Sequence, residues 1–371
     1  MLGKRQITTM CPMNCTPTQC GMTVEVEENR LLSLKGDTQN PDSKGFLCMR
    51  GHATQEIFGN PRRLLTPLKR AGDRGVDRWT PCSWEEAYQM IVDAIQRTRP
   101  ERVGFWRGHG AGTTGFGGYA LASRLSSLAG YQEWSESIVC WAMGGYGLGL
   151  TGTLKTNTKH DMAANAQTIL LWGATFASQP DLAPHLVMAR KRGAYVVQID
   201  VRRTEASRHA DEVLLVNPGT DAALALALAH VIVTEGWQDQ PFAEQHTVGY
   251  APFVDHLQQF TPEWAAEITG LSGRQIRTLA NRYAKQTPAT IVLGGSSMYK
   301  HTHGWEASRA ISCLPALTGQ YGIPGGGLGQ RHGGSPESAR LNFSFLNLND
   351  RINPSAIIPS HRASRPPLGT H

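Results

Sequence analysis

Three cysteines fall within ten residues, in Cys11-Pro-Met-Asn-Cys15-Thr-Pro-Thr-Gln-Cys20, and a fourth, Cys48, follows in Gly45-Phe-Leu-Cys48-Met-Arg50-Gly51. The spacing is C-x3-C-x4-C-x27-C, an asymmetric three-plus-one set. Four thiolates can close a tetrahedral site, and iron–sulfur clusters are held by a close run of cysteines plus one remote ligand. Structural zinc also accepts four cysteines, but its sites more often come as two short-spaced pairs. Two disulfides, or four unrelated core thiols, are the remaining readings.

The other cysteines, Cys82, Cys140 and Cys313, bring the total to seven. An odd number crowded toward one end fits reduced, metal-binding thiols better than a secreted disulfide framework. The N-terminus has no apolar signal region and no twin arginine, and no stretch approaches the roughly 20 apolar residues that span a bilayer. The expectation is a cytoplasmic protein without a membrane span. A net charge of +6, from 36 basic against 30 acidic residues, comes without a dense basic block, so nucleic-acid binding is not expected. The surplus suits an anionic cofactor or a solvated surface.

With 371 residues, 40% of them hydrophobic and 18% charged, the chain has the composition of a globular protein of two or three domains. Met22–Glu27 and Arg30–Lys35 alternate apolar with polar about Asn29-Arg30 and predict a β-hairpin carrying the cysteine loop. Trp79 to Arg97 reads as a capped helix, with Ser83 as cap, Glu86 closing a capping box, and Ala87, Met90, Ile91, Ala94 and Ile95 recurring at the helical spacing of an apolar face. A strand at 102–107, a glycine-rich loop and a helix at about 119–128 follow. From about residue 165 strands and helices alternate. Strands are expected at Thr168–Trp172, Tyr195–Asp200, Val213–Val216 and from Ala289. Ala222–Glu235 reads as a buried helix, Thr261-Pro262 opens another, and Ser272 and Gln275 cap a third with Ile276, Leu279, Ala280 and Tyr283 inward. This alternation predicts a parallel, doubly wound α/β layer.

Gly110-Ala-Gly112-Thr-Thr-Gly115 satisfies G-x-G-x-x-G, which suits a nicotinamide dinucleotide with Glu133 or Glu136 as ribose partner, or a plain glycine-rich turn. Cys140 is followed by glycines at 144, 145, 147 and 149, so it reads either as a core thiol or as a soft ligand for a second metal. Three loops follow strand carboxyl ends or open a helix: the first around Trp172, Gly173 and Gln179, the second at Asp200, Arg202 and Thr204, the third at Gly219, Thr220 and Asp221. Ligands bind outside such strand ends, and a nucleotide-sized ligand fits three loops in register. Asp200 and Asp221 are placed to accept hydrogen bonds from a guanine or ribose, or to cap helices. His301 and His303, with no third ligand in view, read as exposed loop histidines.

In that order the motifs resemble the catalytic subunits of the molybdopterin oxidoreductases, which include formate dehydrogenases, periplasmic nitrate reductases and polysulfide reductases. The matching pieces are the cysteine set, Cys48-Met-Arg-Gly, Asn60-Pro-Arg-Arg-Leu, Trp84-Glu-Glu-Ala, Cys140 and Leu-Trp-Gly at 171–173. Ile-Asp-Val-Arg-Arg-Thr at 199–204, Ala210-Asp-Glu, Pro-Gly-Thr-Asp at 218–221 and Leu317-Thr-Gly-Gln-Tyr-Gly-Ile-Pro-Gly-Gly-Gly complete them. They span roughly residues 8–330. The resemblance implies a [4Fe-4S] cluster on Cys11, Cys15, Cys20 and Cys48, and bis-molybdopterin guanine dinucleotide with molybdenum or tungsten, the metal held by Cys140. It implies that the three loops hold the dinucleotide, that Arg50 lies between cluster and pterin, and that Arg309 belongs to the active site.

It further implies an α/β fold: a small β-rich cluster domain (1–62), a discontinuous α/β domain (63–135 and 290–334), a Rossmann-like domain (136–289) and an irregular tail (335–371). Small-molecule substrate redox with electron transfer to an iron–sulfur, flavin or cytochrome partner is the implied activity. Two departures are Gly173-Ala-Thr, where asparagine is common at the second following position, and Trp141, where formate dehydrogenases carry histidine. Members of this family are about twice as long and end in a β-rich domain, so a separate C-terminal half is a further expected partner. A non-catalytic iron–sulfur carrier or inactive fragment is one alternative, and a formate dehydrogenase specifically is another.

Overall fold

The structure is a computed structural model that describes residues 3–13, 15, 20–107, 116–135, 142–151, 156–295 and 297–329. Cys140, the Gly110–Gly115 loop, Glu136 and the tail from residue 335 lie outside the described residues.

The N-terminal sheet has three antiparallel strands, β1 (Arg5–Met10), β2 (Gly21–Glu27) and β3 (Arg30–Gly36). Strands β2 and β3 form the expected hairpin, with Glu28 and Asn29 in the left-handed conformation at its turn. Strand β1 was not anticipated. All six of its residues are exposed, so it carries no alternation of burial for the sequence to signal. It pairs with β2 so that Met10 faces Gly21, and the first three cysteines lie on the connection between them.

Two small sheets follow, β4 (Leu68–Arg70) with β5 (Trp79–Pro81), and β6 (Gly104–Arg107) with β7 (Gln132–Ser135) in parallel. The helix begins at Trp84, not Trp79, which lies in β5; its cap is Ser83 as expected, whose hydroxyl accepts from the Glu86 N–H at 3.1 Å. The Glu86 carboxylate pairs with Lys69 instead of closing a capping box. The expected inward face of this helix is corrected: none of its residues is buried, and Met90 and Ile91 are more than half exposed.

The main sheet has five parallel strands in the order β10-β9-β8-β11-β12. These are β8 (Thr168–Trp172), β9 (Tyr195–Asp200), β10 (Glu212–Leu215), β11 (Ala289–Leu293) and β12 (Gly327–Leu328). All five residues of β8 and all five of β11 are buried. A strand covered on both faces needs a continuous apolar run, and β8 supplies one.

Its side chains still divide by the period of two. Leu170 and Trp172 join a core with the helices Asp221–Thr234, Pro262–Thr269, Gly273–Lys285 and Gly304–Leu317. Ile169 and Leu171 pack on the other face against Lys159–Asn165 and Leu182–Lys191. The layer is therefore doubly wound, as expected. The caps also fall where the sequence placed them: Thr261 caps Pro262–Thr269, Gly270 ends it with φ at 80°, and Ser272 with Gln275 forms a capping box. Ile276, Leu279, Ala280 and Tyr283 are all buried. Among the described residues no helix is long and apolar enough to cross a membrane.

Leu170 is fully buried in the central strand. Leu170→Ala is expected to cost about 2–5 kcal/mol of stability. Urea unfolding should show a lower midpoint with an unchanged slope.

Candidate functional site

The loop between β1 and β2 closes by a backbone bond from the Cys11 N–H to the Cys20 carbonyl, 2.8 Å. Cys48 reaches it from the far end of a second loop. There the Asn40 side-chain oxygen accepts from the Asp42 and Ser43 N–H groups at 3.1 and 2.9 Å, and the Ser43 hydroxyl accepts from the Gly21 N–H at 3.1 Å. Cys48 then stands at the N-cap of the short helix Met49–His52. A Cβ added to Gly51 would lie 2.3 Å from Leu47 Cδ1 and 3.4 Å from Cys11 Sγ, so this turn packs directly against the thiol.

The four cysteines line one pocket, together with Leu47, Pro180 and Asp181. All four are free thiols, which removes the two-disulfide reading. Among the described residues no group of three His, Cys, Asp or Glu side chains is gathered to hold a single metal ion. Four thiols lining one pocket supply the donor set of a four-iron cluster.

The electrostatics of the cavity agree with a cationic guest. Burial raises the proton affinity of Cys11, Cys15 and Cys20, and neighbouring thiolates raise it further. Cys20 is pushed up to about 12, with burial first and the Asp181 carboxylate next. Arg50 opposes this at Cys11 and Cys15, and Lys159 opposes it at Cys20. A bound metal cluster would supply the missing positive charge and deprotonate the thiols outright.

Behind the cavity sits a polar cluster that the sequence did not reveal. Lys159 is buried, with its Nζ 2.9 Å from Asp42 and 3.0 Å from Asp181. His160 Nε2 is 3.1 Å from Asp42, and its ring meets His185 edge-on at 4.5 Å.

The second site is the carboxyl edge of the main sheet. The chain moves from β8 outward to β9 and β10, then returns to add β11 on the other side of β8, so the topological switch point lies between β8 and β11. Gly173 leaves β8 with φ at 60°, where an added Cβ would sit 3.0 Å from Met298 Sδ. A Cβ on Gly294, after β11, would lie 2.3 Å from the Gly173 carbonyl. The Trp172 indole N–H donates to the buried Asp221 carboxylate at 2.7 Å. Burial raises the Asp221 pKa, and the Trp172 bond pulls it back. Gly219 has φ at 79° and lies against His301, whose Cγ would be 3.5 Å from a Cβ there. Asp200 and His301 both act electrostatically on Asp221, so the second and third loops and the histidine share one crevice.

The remaining sequence candidates divide by what they hold. Asp200 accepts from the Val201 and Arg202 N–H groups at 2.8 and 3.3 Å, and Arg202 is exposed above it. Gln179 is buried and donates to the Leu293 carbonyl at 3.1 Å, tying the first loop to β11. Thr204 caps the turn Glu205–His209 and accepts from Gln198 at 2.7 Å. Thr220 donates to the Asn217 carbonyl at 2.7 Å. Glu133 accepts from the Ser123 hydroxyl at 3.0 Å. Arg309 is exposed on Gly304–Leu317, and this helix packs against Ala142–Leu150, which begins two residues after Cys140. The contact is close because a Cβ on Gly147 would lie 2.0 Å from the Trp305 carbonyl.

The reading of His301 as an exposed loop residue is corrected. Its Nδ1 accepts from the His303 N–H at 3.2 Å, which assigns the ring proton to Nε2. That Nε2 is buried and has no hydrogen-bond partner among the described residues. His303 is exposed and pairs with Glu306 at 2.6 Å. The H-x-H spacing gave no hint of this division.

Two family comparisons match the chain: the molybdopterin oxidoreductase Fe4S4 domain over residues 5–58 and the molybdopterin oxidoreductase domain over 63–358. The chain is 30% identical over 333 residues to a Bacillus subtilis protein named "Probable oxidoreductase YoaE", covering 86% of this chain and 47% of that one. It is 32% identical to dimethyl sulfoxide reductase DmsA of Escherichia coli, covering 89% and 45%. Acetylene hydratase from Pelobacter acetylenicus shares the fold with a TM-score of 0.70 and 25% identity, over 84% of this chain and 44% of that one. The chain spans about half the length of the relatives it matches.

Burial, followed by the nearby charges of His160 and Lys159, lowers the pKa of His185 from 6.5 to about 4, and its Nδ1 has no hydrogen-bond partner among the described residues. The unfolded chain therefore binds the proton first, and this contribution to stability is lost as pH falls from 6.5 toward about 4. Chemical denaturation across that window should show a shallower decline for His185→Gln than for the native protein. Parallel curves would contradict the assignment.

Proposed function

Because the chain belongs to the molybdopterin oxidoreductase family, we propose that it forms the cluster-bearing, dinucleotide-binding part of a molybdenum- or tungsten-dependent oxidoreductase acting on a small-molecule substrate. The cofactors of the matched domains are a four-iron cluster and a molybdenum–pterin. When bound, the pterin-held metal supplies two-electron substrate chemistry and the cluster supplies one-electron transfer to a partner protein. The observation that carries the proposal is the convergence of four free thiols on one cavity whose far wall, Pro180-Asp181, belongs to the loop and helix following β8.

Cys11, Cys15, Cys20 and Cys48 are the cluster ligands in this reading. Arg50 holds fixed positive charge beside Cys11 and Cys15, which favours the more negative, reduced state. At the sheet edge, Gly173 and Gly219 let backbone approach the guanine dinucleotide closely, since neither position tolerates a side chain without strain. Asp221 and Asp200 accept hydrogen bonds from guanine or ribose, His301 Nε2 donates one, and Arg202 lies where it can meet phosphate. Gln179 and Thr204, the other proposed cofactor contacts, are held in place by their bonds to Leu293 and Gln198. Cys140 is proposed as the protein ligand of the metal and Arg309 as the cation nearest the substrate. Trp141 in place of histidine argues against formate as that substrate.

The reduced state required of the thiols suits a reducing compartment, and an iron–sulfur, flavin or cytochrome protein is the proposed electron partner. A second reading is a cluster protein that transfers electrons without its own substrate chemistry, which the four-cysteine cavity alone would allow. Acid hydrolysis of purified protein distinguishes the two. Guanosine monophosphate with an oxidised, fluorescent pterin supports the first reading, and iron without either supports the second. His301→Ala and Asp221→Ala should each reduce the retained guanine nucleotide about tenfold, the scale of one lost hydrogen bond in a buried site. Their iron content should be unchanged.

A further inference from the structure

We propose that Lys159, clamped between Asp42 and Asp181, is a positioning residue that sets the redox potential of the cluster in the four-cysteine cavity. The inference rests on reading that cavity as the four-iron site.

Lys159 has only 2% of its side chain exposed, and its ammonium meets a carboxylate on either side at 2.9 and 3.0 Å. The two carboxylates come from different parts of the chain. Asp42 lies in the N-terminal loop that the Asn40 and Ser43 bonds hold against β2. Asp181 stands at the start of Leu182–Lys191, in the α/β layer. Lys159 opens the neighbouring helix Lys159–Asn165, which Thr158 caps by accepting from the Asp161 N–H at 3.1 Å. The ammonium thus joins the cluster region to the layer behind it.

Asp181 is more than a partner to this lysine, because it also lines the cavity beside Cys20. Lys159 therefore stands directly behind a carboxylate of the cavity wall, 3.0 Å from Asp181. Two cations accompany the cysteines, an exposed Arg50 two residues after Cys48 and a buried Lys159 behind Asp181. Buried charge is screened less by salt and water, so Lys159 exerts the more persistent field. Taking up one electron adds one negative charge inside the cysteine cage without making or breaking a bond. Net charge around the sulfurs is one of the terms that sets such a potential. Lys159 stabilises the added charge and Asp181 opposes it.

The test is a potentiometric titration of the full chain, purified anaerobically and reduced stepwise with dithionite, with the reduced cluster read by electron paramagnetic resonance. Lys159→Gln should lower the equilibrium constant for reduction by at least tenfold, a downward shift of about 59 mV for one electron. Asp181→Asn should shift the potential upward by a comparable amount, and Lys159→Arg should remain near the native value. A merely structural ion pair would move both variants in the same direction or neither. Same-direction shifts, or unchanged potentials with native iron and sulfide content, overturn the inference while leaving the cluster reading intact. If Lys159→Gln cannot hold the cluster, Asp181→Asn decides alone: an upward shift supports the inference and none overturns it. Native protein carrying zinc and no iron would overturn the cluster reading itself, and the inference with it.

Discussion

Strand β8 is the constraint on which both sites depend. Its five residues are buried on both faces and fix the sheet between β9 and β11. Ending such a strand with tryptophan brings an indole N–H into the core, and Asp221 at the start of the buried helix satisfies it. The next residue must turn sharply away while β11 approaches, which glycine does at 173 with φ at 60°. The crevice at the switch point is thus a consequence of how β8 ends. The helices that flank β8 in sequence, Lys159–Asn165 and Leu182–Lys191, pack on its opposite face and deliver Lys159 and Asp181 to the cysteine cavity. A single strand therefore positions the sheet-edge crevice on one side and the charged wall of the cysteine pocket on the other.

What the sequence revealed followed from short-range rules. The cysteine spacing, the apolar runs of β8, β9 and β11, and the caps at Thr261, Gly270 and Ser272 each depend on residues within a few positions of one another. The positions that escaped it depend on contacts formed only in the folded chain. Asp42 and Lys159 meet across more than a hundred residues of sequence, and neither belongs to a motif. His301 looks like its neighbour His303 until packing buries one and leaves the other beside Glu306. The helix Trp84–Gln96 shows the opposite failure. Its amphipathic pattern predicted a buried face correctly in form, yet no described element covers Met90 or Ile91.

The two cations near the cysteines illustrate why residue type alone did not rank them. Arg50 is conspicuous beside Cys48, and its fixed charge needs no support. Lys159 is inconspicuous in sequence but is the more deeply buried, and two carboxylates meet its ammonium. The pocket and its flanking charges meet the crevice through the loop that follows β8, which supplies Gly173 to one and Asp181 to the other.

The most direct measurement is the metal content of the native chain purified without oxygen. The account predicts iron and acid-labile sulfide at about four per chain, accompanied by molybdenum or tungsten. Zinc at one per chain with no iron, or tight binding of a nicotinamide nucleotide without iron or pterin, would contradict it.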